Sequence, residues 1–254
     1  TKQQMKDNKY STMQKNFYNN RAIELNKDNK QSPQAFSAPE LGYNDGIVGS
    51  IFLLNEFFSE CSFLFSTIED TKNKIALDFG CGPGRNIVLY KDVFKRIDGA
   101  DISEIQLENA KKVAEYNNIS SNLYACNGYN LDKIGNEVYD VVFSFITLQH
   151  ICVYDIRRSY LEEFYRVLKP NGTLEFQMSM GPDDTRIGRY VNYYDNYYEA
   201  EGTNGCMDVL VDSVEEIEKD LQEIGFQDIM YAIEDVSTRN WNHDKKFIFV
   251  TCKK

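Results

Sequence analysis

The sequence predicts an α/β protein: a doubly wound sheet of seven mostly parallel strands, the last strand antiparallel, preceded by an N-terminal helical extension. Three observations carry this. Seven short apolar runs recur between residues 74 and 252, amphipathic segments of helical length lie among the first five, and no helix separates the last two. Alternating strands and helices place a parallel sheet between two helical layers. A strand that returns without a crossover helix must reverse direction.

Each element has its own justification. Residues 1–45 are rich in Lys, Asn and Gln, and read as a polar helix over about 3–25 followed by an irregular stretch with Pro33 and Pro39. Residues 46–69 have helical length and a dense apolar face, so a helix packed on the main body is expected there. Strands are expected at 74–79, 97–102, 122–127, 139–145 and 172–178, with helices at 84–94, 103–118 and 154–169. The link from Asn127 to Tyr139 is too short and turn-rich for a helix. A helix over 213–226 ends at Gly225, and strands at 226–236 and 246–252 close the chain. The domain division that follows is an extension or lid at 1–70 and a main domain at 71–254, interrupted by a Tyr-rich insertion at 181–210.

Composition excludes several classes. The 28 basic and 39 acidic residues of this 254-residue chain give a net charge of −11, so its average field repels nucleic acid and anionic lipid surfaces. No stretch reaches the roughly 18 apolar residues of a membrane helix, and the N-terminal residues lack the apolar core of a signal peptide. A soluble, cytoplasmic protein is expected. Six scattered cysteines with no C-x-x-C pair, and only two histidines, suit reduced core thiols rather than a disulfide framework or a metal site.

The first strand runs into the glycine-rich turn "LDFGCGPGRN" (77–86), the place where a doubly wound sheet takes a nucleotide-like ligand. A dinucleotide fingerprint, G-x-G-x-x-G, needs glycine at 85. Arg85 stands there, and the third glycine arrives at Gly84, giving D-x-G-x-G-x-G from Asp78. This weakens an NAD-linked oxidoreductase and suits a turn whose bare backbone lets a bulky cationic sulfonium lie across it. Asp101, closing the second strand, offers a carboxylate to a ribose diol. Asp78 could equally cap the following helix, and Asp101 could serve as a helix N-terminal residue ahead of Ser103.

Four segments in order, "LDFGCGPGR", "GADISEIQLENAKK", "YDVVFSFITLQHI" and "FYRVLKPNGTLEFQ", resemble the motif series of class I S-adenosylmethionine-dependent methyltransferases. Their Rossmann-like fold has seven strands, the last inserted antiparallel. The resemblance implies S-adenosyl-L-methionine as cofactor and S-adenosyl-L-homocysteine as product. It sets Gly80, Cys81, Gly82 and Gly84, with Asp78, at the methionine portion and ribose, Asp101 at the ribose hydroxyls and Ile102 at the adenine. Where the family usually has an acidic residue near the adenine amine, this chain has Asn127, followed by Gly128 and Tyr129. Ser144 and Phe145 close the fourth strand, where the methyl group passes to the acceptor. The N-terminal segment, through Tyr18 or Arg21, is expected to close the cleft as a lid.

The acceptor is expected to be a small molecule, with oxygen preferred over nitrogen and a sugar or natural-product intermediate as a narrower option. Ser144-Phe145-Ile146-Thr147 stands where nucleobase amino-methyltransferases carry Asn/Asp-Pro-Pro-Tyr. His150 is a candidate general base or acceptor-orienting group, or a structural histidine. Tyr190, Tyr193, Tyr194, Tyr197 and Tyr198 could wall an acceptor pocket, or pack on the domain surface or a dimer partner. A non-catalytic, cofactor-binding scaffold of the same fold is the alternative function.

Overall fold

The computed structural model describes residues 9–34, 64–181, 190–195, 208–235 and 246–254. The strands are β1 (Ile75–Phe79), β2 (Arg96–Asp101), β3 (Leu123–Ala125), β4 (Tyr139–Ser144), β5 (Leu168–Met180), β6 (Tyr190–Asn192), β7 (Asp208–Leu210), β8 (Gln227–Asp235) and β9 (Lys246–Lys253). The helices are α1 (Lys9–Lys27), α2 (Arg85–Leu89), α3 (Glu104–Tyr116), α4 (Tyr154–Val167) and α5 (Val214–Ile224).

Seven strands form one sheet in the order β3-β2-β1-β4-β5-β9-β8. All pair in parallel except β9, which lies antiparallel between β5 and β8, as expected from the missing crossover helix. Successive strand residues face opposite layers. Leu77, Val142, Ile248 and Val250 pack with Tyr160 and Phe164 of α4 and Leu221 of α5. Ala76, Val141, Phe247 and Phe249 pack on the other face with Ile87 of α2 and Leu107 of α3. β1, β4 and β9 are buried on both faces and read as near-continuous apolar runs, whereas β8 at the sheet edge is largely exposed.

Several element ends differ from expectation for local reasons. The helix expected over 84–94 stops at Leu89 and continues as turns, which bring Tyr90 and Phe94 into edge contact with Phe65, beside Phe143. The helix expected to reach 169 ends at Val167, because Pro170 disfavours helical backbone just before it. α5 ends on Gly225, whose φ of 116° gives the left-handed cap that glycine supplies without strain. The insertion contributes an unexpected pair, β6 and β7, parallel to each other, and Val211 bridges to Met180 of β5. Most of the helix expected over 46–69 lies outside the described residues, and the described part forms turns at 64–67. The four described cysteines, Cys81, Cys126, Cys152 and Cys252, are buried and in no disulfide. No helix among the described residues is long and apolar enough to cross a membrane.

Candidate active site

A cleft of about 880 Å³, its open mouth included, lies at the carboxyl ends of β1, β2 and β4. This is where the strand order reverses direction and where such sheets bind ligands. The turn after β1 forms one wall. Gly80, Gly82 and Gly84 all have positive φ. At Gly80 the reason is steric: a Cβ would come within 2.2 Å of the Thr147 side chain. At Gly82 a Cβ would meet nothing within 4 Å, so bare backbone faces open space.

Asp101, at the end of β2, forms the next part. Its Oδ2 accepts from Gly82 N–H and its Oδ1 from Ser103 N–H, both at 2.8 Å. Burial raises its pKa, and these backbone donors oppose the rise. Ser103 also caps α3, accepting from Gln106 N–H at 3.1 Å and donating to Asn19 of α1 at 2.6 Å. One hydroxyl thus fixes both the helix beside the cleft and the helix above it.

The opposite wall is Phe145, Ile146 and Thr147, with His150 and Ile151 beyond them. Ile146 has φ 54°, a left-handed conformation that costs a β-branched residue about 1–3 kcal/mol. The loop carrying His150 is held by side chains. His150 C=O accepts from Tyr10 Oη and Gln14 Nε2 of α1, Tyr10 Oη accepts from Cys152 N–H, and Arg157 donates to Ile151 C=O. The His150 ring meets Asp208 of β7, with Nδ1 and Oδ1 2.6 Å apart and both side chains 16% exposed.

The sequence-predicted residues divide accordingly. Tyr18, Gly80, Cys81, Gly82, Asp101, Ile102, Phe145 and His150 line the cleft; Arg21, Asp78, Gly84, Asn127, Gly128, Tyr129 and Ser144 do not. Arg21 pairs on the helix surface with Glu24 at 3.7 Å. Gly84 faces α3, where a Cβ would stand 3.4 Å from Ala110 Cα. Asn127 closes its own turn, accepting from Tyr129 N–H and Asn130 N–H. Gly128 abuts Ser11, Tyr129 C=O accepts from Ser159, and Ser144 Oγ donates to Phe79 C=O. Asp78 lies fully buried under the turn, and burial pushes its pKa up to about 7, against the hydrogen bond from Asn86 and the nearby Arg85 charge.

The described tyrosines of the insertion are likewise absent from the lining. Tyr193 Oη donates to Asp220 of α5 at 2.9 Å, and its ring stacks on the Arg157 guanidinium. Tyr194 Oη donates to Glu216 C=O, and Tyr190 is buried in β6. Hydroxyls that satisfy α5 hold these rings on the domain body. Tyr197 and Tyr198 lie outside the described residues.

Other lining residues carried a weaker signal. Pro83, Arg85 and Asn86 continue the glycine turn, Ile146 and Thr147 follow Phe145, and Gln106 sits three residues after the Ser103 cap. Gln14 and Tyr160 come from α1 and α4, and Asp208, which is outside the lining but in contact with His150, lies 58 positions beyond it. Asn86 Oδ1 and Gln106 Oε1 are buried without a hydrogen-bond partner among the described residues. Such atoms also occur away from the cleft, at Gln31, Ser121, Arg157 and Ser179, but these two belong to residues of its lining. With the open backbone at Gly82, they suit a ligand carrying a nucleoside and a polar tail.

Residues 77–176 match a family described as Methyltransferase domain. The match covers 100 of the chain's 254 residues, and the seven-stranded sheet of which they are part has the Rossmann-like methyltransferase fold. The cofactor of this domain class is S-adenosylmethionine. The methyltransferase fold recurs in an S-adenosylmethionine-dependent methyltransferase from Mesorhizobium loti, 18% identical, with a TM-score of 0.57 over 77% of this chain and 98% of that one. It recurs in Haemonchus contortus phosphoethanolamine N-methyltransferase 2, solved with phosphomonomethylethanolamine and S-adenosylhomocysteine, at 15% identity and TM-score 0.56 over 80% and 57% of the two chains. The [4+2]-cyclase SpnF is similar too, at 20% identity and TM-score 0.55 over 79% of each chain. At such identities the likeness is one of fold, and the fold hosts more than one chemistry. No curated relative matches the sequence.

Proposed function

We propose that this chain is an S-adenosylmethionine-dependent methyltransferase acting on the hydroxyl of a small molecule, with His150 as general base. The observation that carries the reading is the 2.6 Å contact between His150 and Asp208 on the wall of the glycine-turn cleft. A carboxylate only accepts, so Nδ1 is assigned as the donor and Nε2 becomes the basic nitrogen. A hydroxyl must lose its proton as it is alkylated, whereas an amine need only arrive neutral.

The cofactor, when bound, supplies an electrophilic methyl group on a sulfonium. The backbone of Gly80, Cys81 and Gly82 gives it a surface without side-chain bulk. Asp101 has carboxylate lone pairs beyond the two that Gly82 and Ser103 use, and these accept ribose hydroxyls. The amides of Asn86 and Gln106 meet its remaining polar groups. Gln14 and Tyr18 of α1 cover the cleft, and Phe145, Ile146 and Ile151 keep water from the acceptor. His150 takes the acceptor proton, and Asp208 stabilises the resulting imidazolium.

Calorimetry with S-adenosylmethionine, S-adenosylhomocysteine and NAD tests the donor. Binding of the two sulfur ligands is expected, and binding of NAD alone would remove the reading. Incubation of metabolite extracts with isotopically labelled donor then tests the acceptor. Label is expected in methyl ether products, with formation depending on His150; labelled amines formed equally by His150→Gln would overturn the base assignment.

A further inference from the structure

Ile146 stands in a backbone conformation that its branched side chain disfavours, and one buried side chain holds it there. Its N–H donates to Gln177 Oε1 at 2.8 Å, and Gln177 Nε2 donates to Gln149 Oε1 at 2.7 Å. The two glutamines are 0% and 2% exposed. Gln177 lies on β5 between Phe176 and Met178, and Gln149 lies in the short turn Leu148–His150. A single amide from the neighbouring strand therefore ties both ends of the segment from Ile146 to Gln149. The next residue, Thr147, fills the space beside Gly80, so the conformation at Ile146 also sets the gap between the two walls. An apolar residue would suit the interior of β5, but would leave Ile146 N–H and Gln149 Oε1 buried without these partners.

We propose that Gln177 is a positioning residue: through Gln149 and the Ile146 amide it holds the strained turn that fixes the width of the cofactor cleft. The proposal rests on the donor reading given above. It acts through backbone geometry, since Gln177 does not line the cleft.

Two readouts test it, one with ligand and one without. Calorimetry with S-adenosylhomocysteine is expected to show about tenfold or greater weakening in Gln177→Leu, equivalent to about 1.4 kcal/mol. Glycine adopts the left-handed conformation without a clamp. Gln177→Leu introduced into an Ile146→Gly background is therefore expected to weaken binding less than about threefold. Hydrogen exchange at the Ile146 amide reads the turn in ligand-free protein, with protection expected to fall at least about tenfold in Gln177→Leu. Unchanged affinity and unchanged protection in folded Gln177→Leu, or equal loss of affinity in both backgrounds, would overturn the proposal. Should Gln177→Leu not fold, Gln149→Leu breaks the second link and is read in the same way. If wild-type protein does not bind S-adenosylhomocysteine, the donor reading fails and the exchange measurement still decides the role of Gln177.

Discussion

The imidazole Nδ1 of His150 and the carboxylate Oδ1 of Asp208 lie 2.6 Å apart, although 58 positions separate them in the chain. A carboxylate in this position selects the tautomer and strengthens the other nitrogen as a base. Replacing His150 by Gln is expected to lower turnover by about 10²–10⁴-fold, with Asp208→Asn lowering it in the same direction. S-adenosylhomocysteine affinity is expected to stay near the wild-type value in both, so calorimetry beside initial rates checks the assignment.

Asp101→Ala removes a proposed ribose acceptor together with the partner of Gly82 N–H. The loss of hydrogen bonds to a charged group, about 1.5–3 kcal/mol, is expected to weaken S-adenosylhomocysteine binding by at least about tenfold. Titration of the variant against wild type measures this directly.

Gly80→Ala and Gly82→Ala separate steric from conformational constraint. Both positions have positive φ, but only at Gly80 would a methyl group strike Thr147. Gly82→Ala is expected to cost about 1–2 kcal/mol of stability, and Gly80→Ala considerably more. Urea midpoints of the two variants should therefore be well separated.

Burial also ties stability to pH. The pKa of Asp78 and that of Glu175 are each pushed up to about 7, chiefly by burial. Both groups are protonated more readily in the folded chain than in the unfolded one. Their contribution is fully present below about pH 4, near the unfolded values, and is lost as pH rises through about 7. Urea midpoints at pH 5 and pH 8 are expected to fall with rising pH, and Asp78→Asn with Glu175→Gln is expected to flatten the dependence.

Tyr193→Phe removes a hydroxyl bonded to buried Asp220 and leaves the ring in place. A destabilisation of about 1 kcal/mol is expected, with donor affinity and methyl transfer unchanged. A large loss of turnover without loss of stability would return Tyr193 to the acceptor site.

The sheet was legible because its central strands are buried on both faces and the helices between them are amphipathic, and the last two runs, with no helix between them, announced the reversal at β9. Gly80, Gly82 and Asp101 were legible because each solves a local problem at a strand end. Asp78 and Ser144 belong to the same motifs, yet one side chain is buried beneath the turn and the other is spent on Phe79 C=O. Strand pairing hides which residues of a motif face the cleft. Asp208 and Gln177 act across 58 and 31 positions, on His150 and Ile146 respectively, and short-range spacing carries no trace of such contacts. The tyrosines were recognisable as a cluster, but the hydroxyl acceptors on α5 decided where they packed.

The position of β9 has a consequence for how the chain is made. Among the described residues β8 pairs with no strand except β9, and β9 is the later of the two in sequence. During synthesis β8 therefore emerges before the one described strand that pairs with it, while the edge of β5 that β9 will cover stays open. Only when residues 246–253 thread between them do both edges close in one step. Premature termination a few residues short of that insertion would release a chain with two unsatisfied strand edges, a substrate for chaperones and proteases.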